Sequence, residues 1–147
     1  MRGWQKMKRV ISLVLALMLM LGLCACKGKK DLNKIIPEAE KIVSELKAID
    51  DIAYAFSSEY SESDKIFTII LKVDMDRIIE LYDQYNLDWS NDQTISGMYN
   101  LLHNEKQQKE NLAKARAEVE PLFEGTDVKV RTIFRDDIFD SGDKEYN

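Results

Sequence analysis

The chain has 147 residues with 21 Lys and Arg against 26 Asp and Glu, a size that suits one ordinary domain and not two. Arg2, Lys6, Lys8 and Arg9 all fall within residues 1–25, which hold no acid. The 21 basic residues less these four leave 17 against 26 acidic ones, a net charge near −9 beyond residue 25. That sign excludes nucleic acid as a partner class, because neutralising phosphates takes a clustered basic face. Cys24 and Cys26 are the only cysteines. The rest of the chain therefore has no disulfide, no thiol nucleophile and no thiolate metal site.

The first element is a leader. Arg2–Arg9 is a positive region of the kind retained on the cytoplasmic side. Val10–Leu23 follows as 14 residues broken only by Ser12 and Gly22, short for a bilayer-spanning helix of about 20 residues and suited to a signal-peptide core. Leu23-Cys24-Ala25-Cys26 then resembles the lipobox of bacterial prelipoproteins. Cys26 is the better acceptor of the two thiols, since small Ala25 precedes it and Leu23 stands three before it. Bulky Leu23 would sit at the cleavage position if Cys24 were modified.

The resemblance implies cleavage before Cys26, with Leu23 and Ala25 as the cleavage flank, and a covalent diacylglyceryl group on the Cys26 sulfur. The chain is then held at the extracytoplasmic face of the cell membrane, and two acyl chains suffice for stable anchoring. Residues 26–31 form a short basic tether (Lys27, Lys29, Lys30). Five extended residues reach about 15–18 Å, which keeps the domain near the membrane surface.

Residues 32–137 read as a single α+β domain with the order α-β-β-α-α-β and a three-stranded sheet packed against helices. Leu32–Ile49 has a 3.6-residue apolar period. Pro37 suits only the first turn of a helix, so the helix is expected to begin near Ile36–Pro37. Ile52–Tyr60 alternates, with Ile52, Tyr54 and Phe56 on one side, as a half-buried strand does. Ser61–Asp64 is a polar turn. Lys65–Val73 is almost continuously apolar and β-branched, which predicts a central strand covered on both faces and paired in a hairpin with the first.

Asp74 is placed to cap a helix over Met75–Tyr85 with Met75, Ile78, Ile79, Tyr82 and Tyr85 on one face. Asp92 opens another helix. His103–Asn111 lacks apolar residues, but neither Gly nor Pro interrupts 98–120, so one long helix with a solvated middle is expected in preference to two helices meeting near Asn104. Pro121 and Gly125 end it. Asp127–Arg135 is a strand with Val128, Val130, Thr132 and Phe134 on one side and Lys129, Arg131, Ile133 and Arg135 on the other. Residues 138–147 are expected to form an acidic, flexible tail.

Beyond the leader the sequence carries few groups suited to catalysis. His103 is the sole histidine and sits in a polar run; a nucleophile–base pair, a Gly-rich phosphate loop and the Gly-x-Ser-x-Gly and His-Glu-x-x-His motifs are all missing. Asp88, Ser90 and Asp92 have the start of a calcium-loop spacing, but Gln93 and Tyr99 stand where Gly and Glu are required. Asp136, Asp137, Asp140 and Asp143 read as solvated tail acids. Trp89, in a polar loop, is a candidate partner or membrane contact. Lys129, Arg131 and Arg135 form a basic stripe expected at a sheet edge, where it either blocks strand pairing or meets an anion.

The expected role is that of a membrane-anchored exported lipoprotein serving as a non-catalytic binding module of the cell envelope. Its partners are the membrane, through the lipid, and an envelope protein or an anionic cell-wall polymer. No catalytic residue, metal or dissociable cofactor is expected. The alternative is a small carboxylate-dependent envelope hydrolase acting on sugar polymers, with two acids converging in a cleft.

Overall fold

The computed structural model describes residues 30–48, 53–86, 97, 99–100, 102–138 and 142–147. The chain divides into Met1–Asp31 and Leu32–Asn147; of the first unit only Lys30 and Asp31 are described. Leu23, Ala25, Cys26 and Trp89 therefore lie outside the described residues, as do Asp88–Asp92.

The second unit is mixed α and β, as expected, with its elements in the order α1 (Leu32–Glu45), β1 (Tyr54–Ser61), β2 (Ile66–Val73), α2 (Met75–Tyr85), α3 (Glu105–Val119), a 3₁₀ turn (Glu120–Phe123), β3 (Lys129–Asp136) and β4 (Gly142–Glu145). Among the described residues the sheet has four strands, in the order β1-β2-β3-β4. The expectation of three strands is corrected by β4, which forms from the segment read as an acidic tail. That segment has no apolar period, and it is a strand because it borrows the edge of β3.

β1 and β2 form the expected hairpin, antiparallel from Tyr54↔Val73 to Ser61↔Ile66. Its turn is built from polar side chains: Ser61 Oγ donates to Asp64 Oδ2 at 2.7 Å, and Lys65 adopts a left-handed φ of 54°. β2 is central and has Phe67–Leu71 buried throughout, in keeping with its continuous apolar run. β3 lies beside it in parallel, Ile66↔Lys129 through Lys72↔Arg135. A parallel neighbour demands a crossover, and α3 in that crossover packs on the face of β2 and β3.

The core lies on that face. Phe67, Ile69, Leu71, Val130 and Phe134 from the sheet meet Ala39 and Val43 of α1, Ile78 of α2, and Leu112, Ala115 and Val119 of α3. Tyr54, Phe56 and Tyr60 close its β1 side, the face that alternation assigned to them.

Three helical expectations change. α1 begins at Leu32 and carries Pro37 in its interior, because burial of Ala39 and Val43 rewards extending the helix on both sides of the ring. α2 is capped as expected, Asp74 Oδ1 accepting from Arg77 N at 3.1 Å. Only Ile78 on it is buried, while Ile79 and Tyr85 are exposed. The long helix is broken at Asn104: residues 102 and 103 are helical, Asn104 leaves helical geometry at φ −82°, ψ 73°, and its side chain accepts from Gln107 N to start α3. An Asn can cap as effectively as Gly or Pro can break.

The middle of that region is solvated on one side only. Gln108 and Asn111 are buried on the same stripe as Leu112, Ala115 and Val119.

Candidate functional site

The basic stripe is on the face of the sheet opposite the helices, because Val130 and Phe134 take the core side and leave Lys129, Arg131, Ile133 and Arg135 on the other. The expected position at a sheet edge changes for Arg135, because β4 covers the far side of β3 from Ile133 to Asp136, while Lys129 and Arg131 stand on the part of β3 that β4 leaves uncovered. In register, Lys72 of β2 joins this face beside Arg135, and Thr68 and Ile66 stand beside Arg131 and Lys129. Glu59 of β1 and Asp143 and Glu145 of β4 supply its acids.

The three stripe residues have separate fates. Arg135 is internally neutralised. Its Nε and Nη2 donate to Asp143 at 2.9 and 3.1 Å, and its Nη1 donates to Glu59 at 2.8 Å. The register sends this second pair diagonally across the row of Ile70 and Ile133, both 1% exposed. Arg135 thus ties β1 to β4, the two outer strands, and is structural. Hydrogen bonding to Asp143, then to Glu59, pushes the guanidinium pKa further up, while the Arg135 hydrogen bond pulls the Asp143 carboxyl below the usual range. Arg131 is half-buried, with its Nε fully covered and lacking a hydrogen-bond partner. Lys129 is exposed.

Lys129 and Arg131 also line an open groove of about 570 Å³, together with Arg116, Glu120, Thr126 and Glu145. Its floor is the first half of β3, which pairs with β2 on one side and has no strand on its outer side among the described residues. Arg116 fills part of that vacancy, donating from Nη2 to Val130 O at 3.1 Å and from Nε to Glu120 at 3.2 Å. Thr126 shapes the turn at its end, its hydroxyl donating to Phe123 O and accepting from Val128 N, beside Gly125 at φ 78°.

A second crevice, about 210 Å³, lies where β4 meets α3 and includes His103, Glu105, Gln108, Asp136 and Lys144. His103 stacks on Tyr99 at 3.9 Å between ring centres, and its Nδ1 lies 2.9 Å from Tyr99 O. It is exposed, as its polar run suggested. Lys144 pairs with Glu105; that hydrogen bond holds the Glu105 carboxyl below, and the Lys144 amine above, their ordinary values. Tyr146 OH donates to Gln108 Oε1 at 2.6 Å and Gln108 Nε2 donates to Leu102 O at 2.9 Å. Burial raises the pKa of both Tyr54 and Tyr146.

Among the described residues no cluster of three His, Cys, Asp or Glu is placed to hold a metal ion. The tail acids part company: Asp136 is buried in β3 and accepts from Ile138 N, while Asp143 belongs to Arg135.

Gln108 and Arg116 escaped the sequence reading. Stepping back 3.6 residues at a time from Val119, Ala115 and Leu112 lands at 108, so the helical stripe itself marked Gln108 as inward. Nothing local marked Arg116, whose partner Val130 is brought to it by packing of the helix on the sheet. No family model, curated protein or solved structure matches this chain.

Proposed function

We propose that the chain is an exported lipoprotein, held by diacylglyceryl on Cys26 at the extracytoplasmic face of the membrane. Its domain is a non-catalytic binding module of the cell envelope, engaging an envelope protein or an anionic cell-wall polymer. The observation that carries the binding reading is the placement of exposed Lys129 and half-buried Arg131 at the rim of one open groove. An anionic group bridging the two would meet the Lys129 amine and the accessible part of the Arg131 guanidinium together. Hydrolysis of sugar polymers by carboxylates requires an acid with a raised pKa. Glu105 and Asp143 are pulled down by their cationic partners, so neither of these two is that acid.

The test has two arms. Intact-mass measurement of the native protein is expected to show Cys26 as a lipid-modified amino terminus; an intact leader or an unmodified sulfur removes the anchor. Crosslinking in native membranes is expected to capture an envelope protein or polymer from the parent chain. A Lys129→Glu/Arg131→Glu chain is expected to lose most of that capture, and undiminished capture removes the groove.

A further inference from the structure

β4 is an unusual strand to find at the edge of a packed sheet. All four of its residues, Gly-Asp-Lys-Glu, are exposed and none is apolar. What holds its own side chains is polar, Asp143 to Arg135 and Lys144 to Glu105, while Tyr146 just beyond it packs its ring against the core, donates from N to Thr132 O at 3.0 Å and from its hydroxyl to Gln108. Exposed ion pairs contribute little individually, so β4 is attached far more weakly than the apolar strands beneath it.

The edge that it occupies has a regular polarity. Lys129 N donates toward β2, to Lys65 O, whereas Val130 O and Thr132 O face outward, to Arg116 and Tyr146 N. The open groove continues the line of β4 past Asn147, along Val130 and Lys129. A single extended segment, antiparallel to β3, fits this entire edge once β4 is lifted away. Strand addition of this kind draws affinity from main-chain hydrogen bonds and specificity from alternate side chains.

Those side-chain positions are defined by what β4 now presents. On the open face of the sheet Arg135 calls for an acid, and on the helix face Glu105 calls for a base. We propose that β4 is a releasable latch over a strand-docking edge. An extended segment of a partner protein, carrying adjacent acidic and basic residues, takes the place of β4 on β3 and runs on into the groove beside Arg116. The inference extends the binding reading to one edge of the sheet. Its failure leaves the Lys129 and Arg131 test of that reading untouched.

The experiment uses the full chain and its Asp143→Asn/Lys144→Gln variant. Hydrogen exchange is expected to be at least tenfold faster across 142–146 in the variant, with β2 unchanged. A labelled peptide with the sequence of residues 142–147 is expected to bind the variant at least tenfold more tightly than the parent. The same peptide with its Asp and Lys exchanged is expected not to bind. The proposal is overturned by equal affinity of both chains for the peptide or by equal affinity for the exchanged peptide. Loss of β2 protection in step with β4 also overturns it.

Discussion

Gln108 is 1% exposed and bonds two groups at once, the hydroxyl of half-buried Tyr146 and the Leu102 carbonyl. Gln108→Leu keeps much of the volume and strands both. The expected cost is about 1–3 kcal/mol, seen as a lower urea midpoint with an unchanged slope. An unaltered midpoint would mean that water or another side chain takes over both groups. Arg135 gives the complementary lesson. In sequence it was one cation in a stripe with Lys129 and Arg131, and its partner Glu59 stands 76 residues away. Only the register reveals that Arg135 is consumed while Lys129 remains exposed. The lone His103 was read correctly as a surface residue, because no apolar periodicity surrounds it.

At the scale of elements, the β-hairpin was legible because alternation in β1 and continuous apolarity in β2 are local signals. The helix ends were less so. Asn104 caps α3 by accepting from Gln107 N at 3.2 Å, in a run whose composition gives no Gly or Pro to flag a break. β4 was invisible, since its four polar residues pair only because β3 offers an edge. Its attachment is expected to depend on pH. Hydrogen bonds from Arg135 and Lys144 lower the pKa values of Asp143 and Glu105 in the folded chain. Their contribution is therefore complete above the unfolded carboxylate values of about 4 and fades as pH falls through the depressed folded values. Acidification from pH 7 toward pH 2 is expected to move the amide resonances of 142–146 toward unstructured positions before those of β2. Simultaneous loss of both would tie β4 to the core.

At the scale of the whole unit Leu32–Asn147, one apolar cluster among the described residues joins α1, α2, α3 and three strands. A body with one such cluster is expected to unfold in a single transition. Far-ultraviolet and near-ultraviolet circular dichroism should give coincident urea curves, and Leu112→Ala should shift both together by about 2–5 kcal/mol. Separate midpoints would show that the helices and sheet are not one cooperative unit. Leu112 is 1% exposed at the centre of the cluster, so its loss is felt by every layer.

Composition, charge and periodicity by themselves determined the mixed α and β character, the hairpin, the buried central strand and which face of β3 carries its cations. Those features follow from local patterning, in which a side chain's direction is set by its own neighbours in the chain. Tertiary structure alone decided that the sheet has a fourth strand, that Arg135 is held by Glu59 and Asp143, and that Lys129 and Arg131 rim a groove with Arg116. Each of these depends on strand register and on contacts between distant segments. Such contacts form only when burial of the shared core brings the segments together, and no local pattern encodes them.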